Sequence, residues 1–184
     1  ATDIARLFLP SIKPYGFGIS LSAVICLLTY GYFNYKHPDI NRIDITLDKP
    51  LPGKPMKIVA ISDVHLGNGT RKPQLKKFVE MINAQNPDLI IISGDLIDNS
   101  LLPLYQQKMA EELSQLKAPM GIYMAPGNHE YISGIEACES FLKDTPIQLL
   151  RDSIVTLPNG LQIIGREDRA NRHRMSIAQL MKLT

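Results

Sequence analysis

IVAISDVHLG, residues 58–67, reads as a buried strand that runs directly into an acid and an imidazole one residue apart, Asp63 and His65. A short continuous apolar run is the mark of a strand covered on both faces in a parallel sheet. Successive strand side chains point to opposite faces, so Asp63 and His65 are expected on one side. They are also expected at the carboxyl end, where open α/β sheets place their ligands. Two later runs repeat the pattern. DLIIIS leads into Gly94, Asp95 and Asp98, and GIYMAP leads into Gly127, Asn128, His129 and Glu130. Leu75, Phe78, Val79 and Ile82 recur at helical spacing between the first two runs, as do Met109, Leu113 and Leu116 between the second and third. The order is βαβαβ, which predicts a parallel sheet with helices on its faces.

Each strand thus ends in small residues or proline, then in oxygen or imidazole donors. Small residues let a backbone turn tightly and approach a ligand. Carboxylates and an amide oxygen suit hard cations, and imidazole shifts the preference towards Mn, Fe or Zn. One carboxylate can bridge two ions, and Asp95, on the middle strand, is the candidate. Such a pair can hold a hydroxide and clamp a phosphoryl group during in-line displacement. Singly, each motif has a plainer reading. Asp95 could cap the helix that follows, and Asn128 with His129 could belong to a turn begun by Pro126 and Gly127. Their conjunction at three consecutive strand ends favours the metal.

Upstream, YGFGISLSAVICLLTYGYF (15–33) carries no charge. As a helix it spans roughly 28 Å, close to the hydrocarbon thickness of a bilayer. Tyr15 and Phe17 stand at one end, and Tyr30, Tyr32, Phe33 and Tyr35 at the other, as an aromatic belt would have them. Residues 1–36 are therefore expected to be a membrane anchor in the cell membrane, with its helix at about 15–35. A core helix and a signal-peptide segment are the plainer alternatives. Arg6 and Lys13 precede the span, and Lys36, Arg42, Lys49, Lys54 and Lys57 follow it, a count that leans to a cytoplasmic C-terminal side. Residues 37–55 form a connector with Pro38, Pro50, Pro52 and Pro55, inside which Ile43, Ile45 and Leu47 alternate as in a strand. A net charge of +2 gives no reason to expect a nucleic-acid partner. Cys26 and Cys138, the two cysteines, suggest neither a disulfide framework nor a zinc cluster.

SDVHLG, GDLIDN and GNHE resemble the first three signature blocks of the calcineurin-like metallophosphoesterases. With the apolar segment, they look most like the bacterial membrane-associated branch. The resemblance implies a four-layer α/β/β/α sandwich preceded by one transmembrane helix, and two divalent metal ions. It implies that Asp63 and His65 bind the first ion, that Asp95 bridges, and that Asn128 binds the second. His129 would assist the leaving group, Glu130 would orient His129 from behind, and Asp98 would be a supporting residue. The substrate would be a phosphomonoester or phosphodiester, attacked by hydroxide held between the metals; the expected membrane location, rather than any residue, points to an envelope lipid or lipid-linked molecule. NSLLPLY (99–105) reads as core packing or as an acyl-chain contact.

One departure stands against the resemblance. The family completes its site with later histidines, including a Gly-His-x-His block, whereas this chain has only His173 after His129. His173 lies among Arg169, Arg172 and Arg174 and reads as a solvated basic loop or a phosphate contact. IVTLPNGLQIIG predicts a strand pair turning at Asn159-Gly160, and SIAQLMKL opens a helix. Residues 56–184 are thus expected to be the N-terminal part of the domain, with the C-terminal half as the missing partner. Taken alone they are expected to hold the second ion weakly and to leave Ile58, Ile61, Ile90 and Ile92 poorly covered. Two alternatives stay open: a soluble nucleotide or phosphoprotein phosphatase, and a non-catalytic membrane-attached interaction domain with a partial metal site.

Overall fold

The computed structural model describes residues 15–46, 48 and 55–184. The chain divides into two units, Ala1–Asp48 and Lys49–Thr184. In the first, helix α1 runs over Gly16–Lys36. Its 21 residues span about 31 Å. Phe17, Ile19, Val24, Ile25, Leu27 and Tyr30 are all exposed, on every side of the helix. By length and composition α1 could cross a membrane. It closes with the His37 N–H donating to the Asn34 carbonyl at 3.2 Å, and Lys36 Nζ stands 5.4 Å from the Tyr35 ring centroid.

Beyond it, residues 38–46 have no regular structure. The strand expected from Ile43 and Ile45 does not form there, and both side chains are exposed. Alternation alone cannot make a strand, because a lone extended segment has no neighbour for its backbone groups. Leu47, Pro50 and Pro52 lie outside the described residues, as do Arg6, Lys13, Lys49 and Lys54.

The second unit is mixed α/β. Strands β1 (Ile58–Ile61), β2 (Leu89–Ser93), β3 (Ile122–Ala125) and β4 (Ile147–Leu149) form one sheet in that order. All three pairings are parallel, with Ile61 opposite Ile92 and Ser93 opposite Ala125 in register. A separate antiparallel ribbon pairs β5 (Ser153–Thr156) with β6 (Gln162–Gly165). Its turn contains Gly160 at a φ of +81°, where a glycine is needed. β4 was not foreseen, for three residues are too few to display a period.

Helix α2 (Lys72–Ala84) follows β1 and buries Leu75, Val79 and Ile82, the face the sequence spacing marked. Pro73 fits its first turn, where no N–H is required. The next crossover differs from expectation. It is two short helices, α3 (Leu102–Gln106) and α4 (Met109–Leu113), broken by Lys108 at a φ of 51°. At that break the Gln107 side-chain oxygen accepts the Lys72 N–H at 3.1 Å, so the interruption helps to satisfy the start of α2. Helices α5 (Asn128–Ile132) and α6 (Ile135–Leu142) lead to β4, and α7 (Ile177–Leu180) lies near the end, capped by Ser176.

Ile90 and Ile92 of β2 are wholly buried with Met124, Met109, Leu113 and Phe141. They are therefore not left bare as expected, because the helices of the two crossovers and α6 supply the contact. Ile58, on edge strand β1, is exposed, as expected for it. Leu101 and Leu104 are core residues, while Leu102 and Tyr105 face solvent. Truncating the buried Leu113 to alanine should lower unfolding free energy by about 2–5 kcal/mol. Leu102→Ala should change it by less than about 0.5 kcal/mol. Urea denaturation of the two variants measures both.

Candidate metal centre

The acid and imidazole after β1 converge, but not by the pleat of a strand. β1 stops at Ile61, and the backbone then turns left-handed at both Asp63 (φ 54°) and His65 (φ 49°). Their side chains nonetheless meet, with Asp63 Oδ1 3.9 Å from His65 Nε2. The turn is laced to the one after β2. The N–H groups of Asp63, His65 and Leu66 donate to the carbonyls of Gly94, Asp95 and Leu96 at 3.3, 3.0 and 2.8 Å, and the Asp98 N–H donates back to Leu66 at 3.0 Å.

The turn after β2 is built around Gly94 (φ +80°) and Asp95 (φ 53°). A Cβ on Gly94 would lie 2.8 Å from Gly127 Cα, and one on Gly127 would lie 2.7 Å from the Asp95 nitrogen. Contacts that short cannot stand, so both positions need glycine. The approach lets the His129 N–H donate to Asp95 Oδ1 at 3.0 Å. Asp63, His65 and Asp95 then form one group, each offering a ligand atom within 4.8 Å of the others. His65, Asp98 and His129 form a second with the same spread, so His65 belongs to both.

Asp98 Oδ1 stands 3.2 Å from His129 Nδ1 and 3.6 Å from His65 Nδ1. The His65 and His129 rings meet edge to face with centroids 4.4 Å apart. His129 Nδ1 is buried and, close as Asp98 is, has no aligned hydrogen-bond partner. Converging carboxylates, two imidazoles and an orphaned buried nitrogen are a donor set that fits a divalent cation. Asn128 opens α5 beside them and is exposed. Glu130 is elsewhere than expected: its carboxylate takes backbone N–H groups of Asp95, Ile97 and Gly127, not the His129 ring. Asp98 is the carboxylate beside His129. His173 lies in an exposed turn and belongs to neither group.

An ion-pair chain centred on the buried Glu167 also holds Tyr131 of α5. The Tyr131 hydroxyl donates to the buried Glu167, which also accepts Arg151 Nε at 2.6 Å, while Arg151 reaches Glu139 at 3.1 Å. These residues are far apart in sequence, and only the charge in GRED after an apolar strand hints at them. Burial pulls the Arg151 guanidinium down, but its bonds to Glu167 and Glu139 outweigh this and hold it above its ordinary value. Burial first, then the hydrogen bond and charge of Glu167, push the Tyr131 phenol up to about 12.

The parallel sheet carries, at its strand ends, donors that could hold a divalent metal in an α/β fold. The calcineurin-like phosphoesterase family profile matches residues 56–178. The chain belongs to that family, whose members bind divalent metals. It is 30% identical to an uncharacterized metallophosphoesterase of Helicobacter pylori over 94% of this chain and 51% of the relative. It is 33% identical to a zebrafish (Danio rerio) transmembrane protein with metallophosphoesterase domain, over 73% of this chain and 31% of that protein. It is 32% identical to the UDP-2,3-diacylglucosamine pyrophosphatase LpxG of Chlamydia muridarum, over 63% of this chain and 37% of that one. The chain spans about half or less of the length of these relatives.

Because the folded Tyr131 holds its proton more tightly than an unfolded tyrosine, its stabilising contribution is full below about pH 10 and declines as pH rises towards about 12. An absorbance titration should show one late tyrosinate step, absent in Tyr131→Phe. The same substitution should flatten the loss of stability across that window.

Proposed function

We propose that the protein is a membrane-anchored phosphoesterase that hydrolyses a phosphate ester using two divalent ions, of which Mn, Fe and Zn suit the ligands best. The observation that carries the reading is the convergence of Asp63, His65, Asp95, Asp98 and His129 at the carboxyl ends of three adjacent parallel strands. Asp63 and His65 would hold the first ion, Asp95 would be shared between the two, and Asn128 would serve the second. When bound, the ions activate water and neutralise charge on the phosphoryl group. His129, over the site with its ring against His65, gives a hydrogen bond or proton to the departing oxygen. Asp98, 3.2 Å from its Nδ1, is the carboxylate placed to orient the ring. Residues 1–36 are the anchor, 37–55 the connector, and the catalytic domain begins at 56.

An envelope lipid or lipid-linked phosphate is the substrate class favoured here. Three features support it. The apolar α1 would hold the domain at a bilayer, and the chlamydial relative is named for a diacylated substrate. Leu102 and Tyr105, exposed on α3 a few residues beyond Asp98, offer apolar surface there.

Elemental analysis should find that Asp95→Ala removes both ions, whereas Asp63→Ala and Asn128→Ala each remove mainly one. A full complement in Asp95→Ala refutes the bridge. His129→Ala should keep its metal and lower turnover by roughly 10²–10⁴-fold, least on esters with good leaving groups. Metal loss in that variant makes His129 a ligand instead.

Detergent-solubilised protein in Mn²⁺ should hydrolyse a diacylated sugar or glycerol phosphate faster than the deacylated compound or a soluble nucleotide. Equal rates favour a soluble-substrate phosphatase, and no hydrolysis of any ester favours a binding domain. Deleting residues 1–36 should move the protein from the membrane fraction to the supernatant.

A further inference from the structure

Glu130 is a fully buried carboxylate whose oxygens point at backbone rather than at the metal ligands. Oε2 accepts the N–H groups of Asp95 at 2.9 Å and Gly127 at 2.8 Å, and Oε1 accepts that of Ile97 at 2.9 Å. The reason lies in where the sheet stops. The β2–β3 ladder ends with Ser93 opposite Ala125. Beyond that pair the two chains enter different turns, and the parallel ladder no longer supplies acceptors. On the opposite flank the turn after β1 still pairs by backbone, taking the carbonyls of Gly94, Asp95 and Leu96. Glu130 thus substitutes for the missing strand on the β3 side.

The position it fixes is a costly one. Asp95 is a non-glycine residue in left-handed conformation, which persists only where its surroundings over-determine it. The Asp95 carbonyl is held by the His65 N–H at 3.0 Å and its own N–H by Glu130 at 2.9 Å, so both peptide groups are clamped. Its carboxylate is then aimed by the His129 N–H, whose helix Glu130 has docked through Gly127.

We propose that Glu130 is a positioning residue for the Asp95 carboxylate, presetting the bridging ligand before any metal arrives. This rests on the reading of Asp95 as a ligand. Glutamate suits the task because it offers two acceptor oxygens and no donor. Glutamine would press an N–H₂ against at least one of the three amides, and aspartate is one methylene short.

The test measures Mn²⁺ affinity by calorimetry, with electron paramagnetic resonance of the bound ion, in wild type, Glu130→Gln and Leu113→Ala. The last is a destabilised core variant on α4, outside the three turns. Glu130→Gln should bind Mn²⁺ 10–100-fold more weakly, in the range known for outer-shell partners of metal ligands. Its hydrolysis should recover as Mn²⁺ is raised in proportion. Leu113→Ala should bind within about twofold of wild type, as distant sites behave independently. Unchanged affinity in Glu130→Gln, or an equal loss in Leu113→Ala, overturns the inference while leaving the metal site standing. If the wild type binds no Mn²⁺, the metal reading fails and takes the inference with it. Should Glu130→Gln not fold, amide exchange in the metal-free wild type decides. The Asp95, Ile97 and Gly127 amides should be protected before metal is added, and free exchange there refutes a preset clamp.

Discussion

Two turns can share one site only if their backbones touch, and the contact between Gly94 and Gly127 is what makes that possible. The space between them leaves no room for a β-carbon on either. That closeness lets one amide of α5 reach the Asp95 carboxylate and one carboxylate of α5 reach back to three amides. A methyl group at either glycine would separate the turns by several tenths of an ångström or more. Each of those hydrogen bonds lies between 2.8 and 3.0 Å, and hydrogen bonds weaken steeply when stretched or misaligned. The ligand geometry is therefore a property of the pair of turns.

Such a site works against the fold. Asp63, His65 and Asp95 all lie in the left-handed region, each at a cost of about 1–3 kcal/mol. The sum is a large share of the roughly 5–15 kcal/mol by which a domain is stable. The compensation is local. Leu66 follows His65, and Leu96 and Ile97 lie between Asp95 and Asp98; all three are essentially inaccessible to solvent. Burying a large apolar side chain contributes about 1.5–3 kcal/mol. The ligand turns thus carry their own anchors, interleaved with the strained residues, and stay put while their polar side chains face outwards.

This interleaving explains why so much was readable in sequence. Apolar runs at 58–61, 89–93 and 122–125 marked the strands, and the residues just beyond them marked the site. Helical spacing marked α2, because its buried face is continuous. It failed at 102–113, where Gln107 is diverted to cap α2 and Lys108 turns left-handed. Side-chain alternation put Asp63 and His65 on one side for the wrong reason, since a turn and not a pleat unites them. Glu130 was placed behind the site but given the wrong neighbour, because a carboxylate has no preference between an imidazole and an amide until the fold supplies one. The Tyr131–Glu167–Arg151 chain stayed hidden because no local period links residues so far apart.

The distribution of charge carries the last part of the argument. Asp63, Asp95 and Asp98 crowd around two imidazoles, and like charges at such separations repel more strongly as water is excluded. A fold could relieve this by turning a lysine or arginine inwards. Among the described residues neither type pairs with these three acids. Arg151 is committed to Glu167 and Glu139, and Lys72 to Glu111 and Glu112 on the crossover. Lys57 and Arg71, the basic residues nearest Asp63 in sequence, donate to the backbone carbonyls of Gln85 and Asn68, leaving the strand-end carboxylates to share only histidine. Histidine can ligate as well as neutralise, whereas lysine and arginine at the same place would occupy the oxygens. Keeping fixed cations away from those oxygens is what leaves them available to a mobile one.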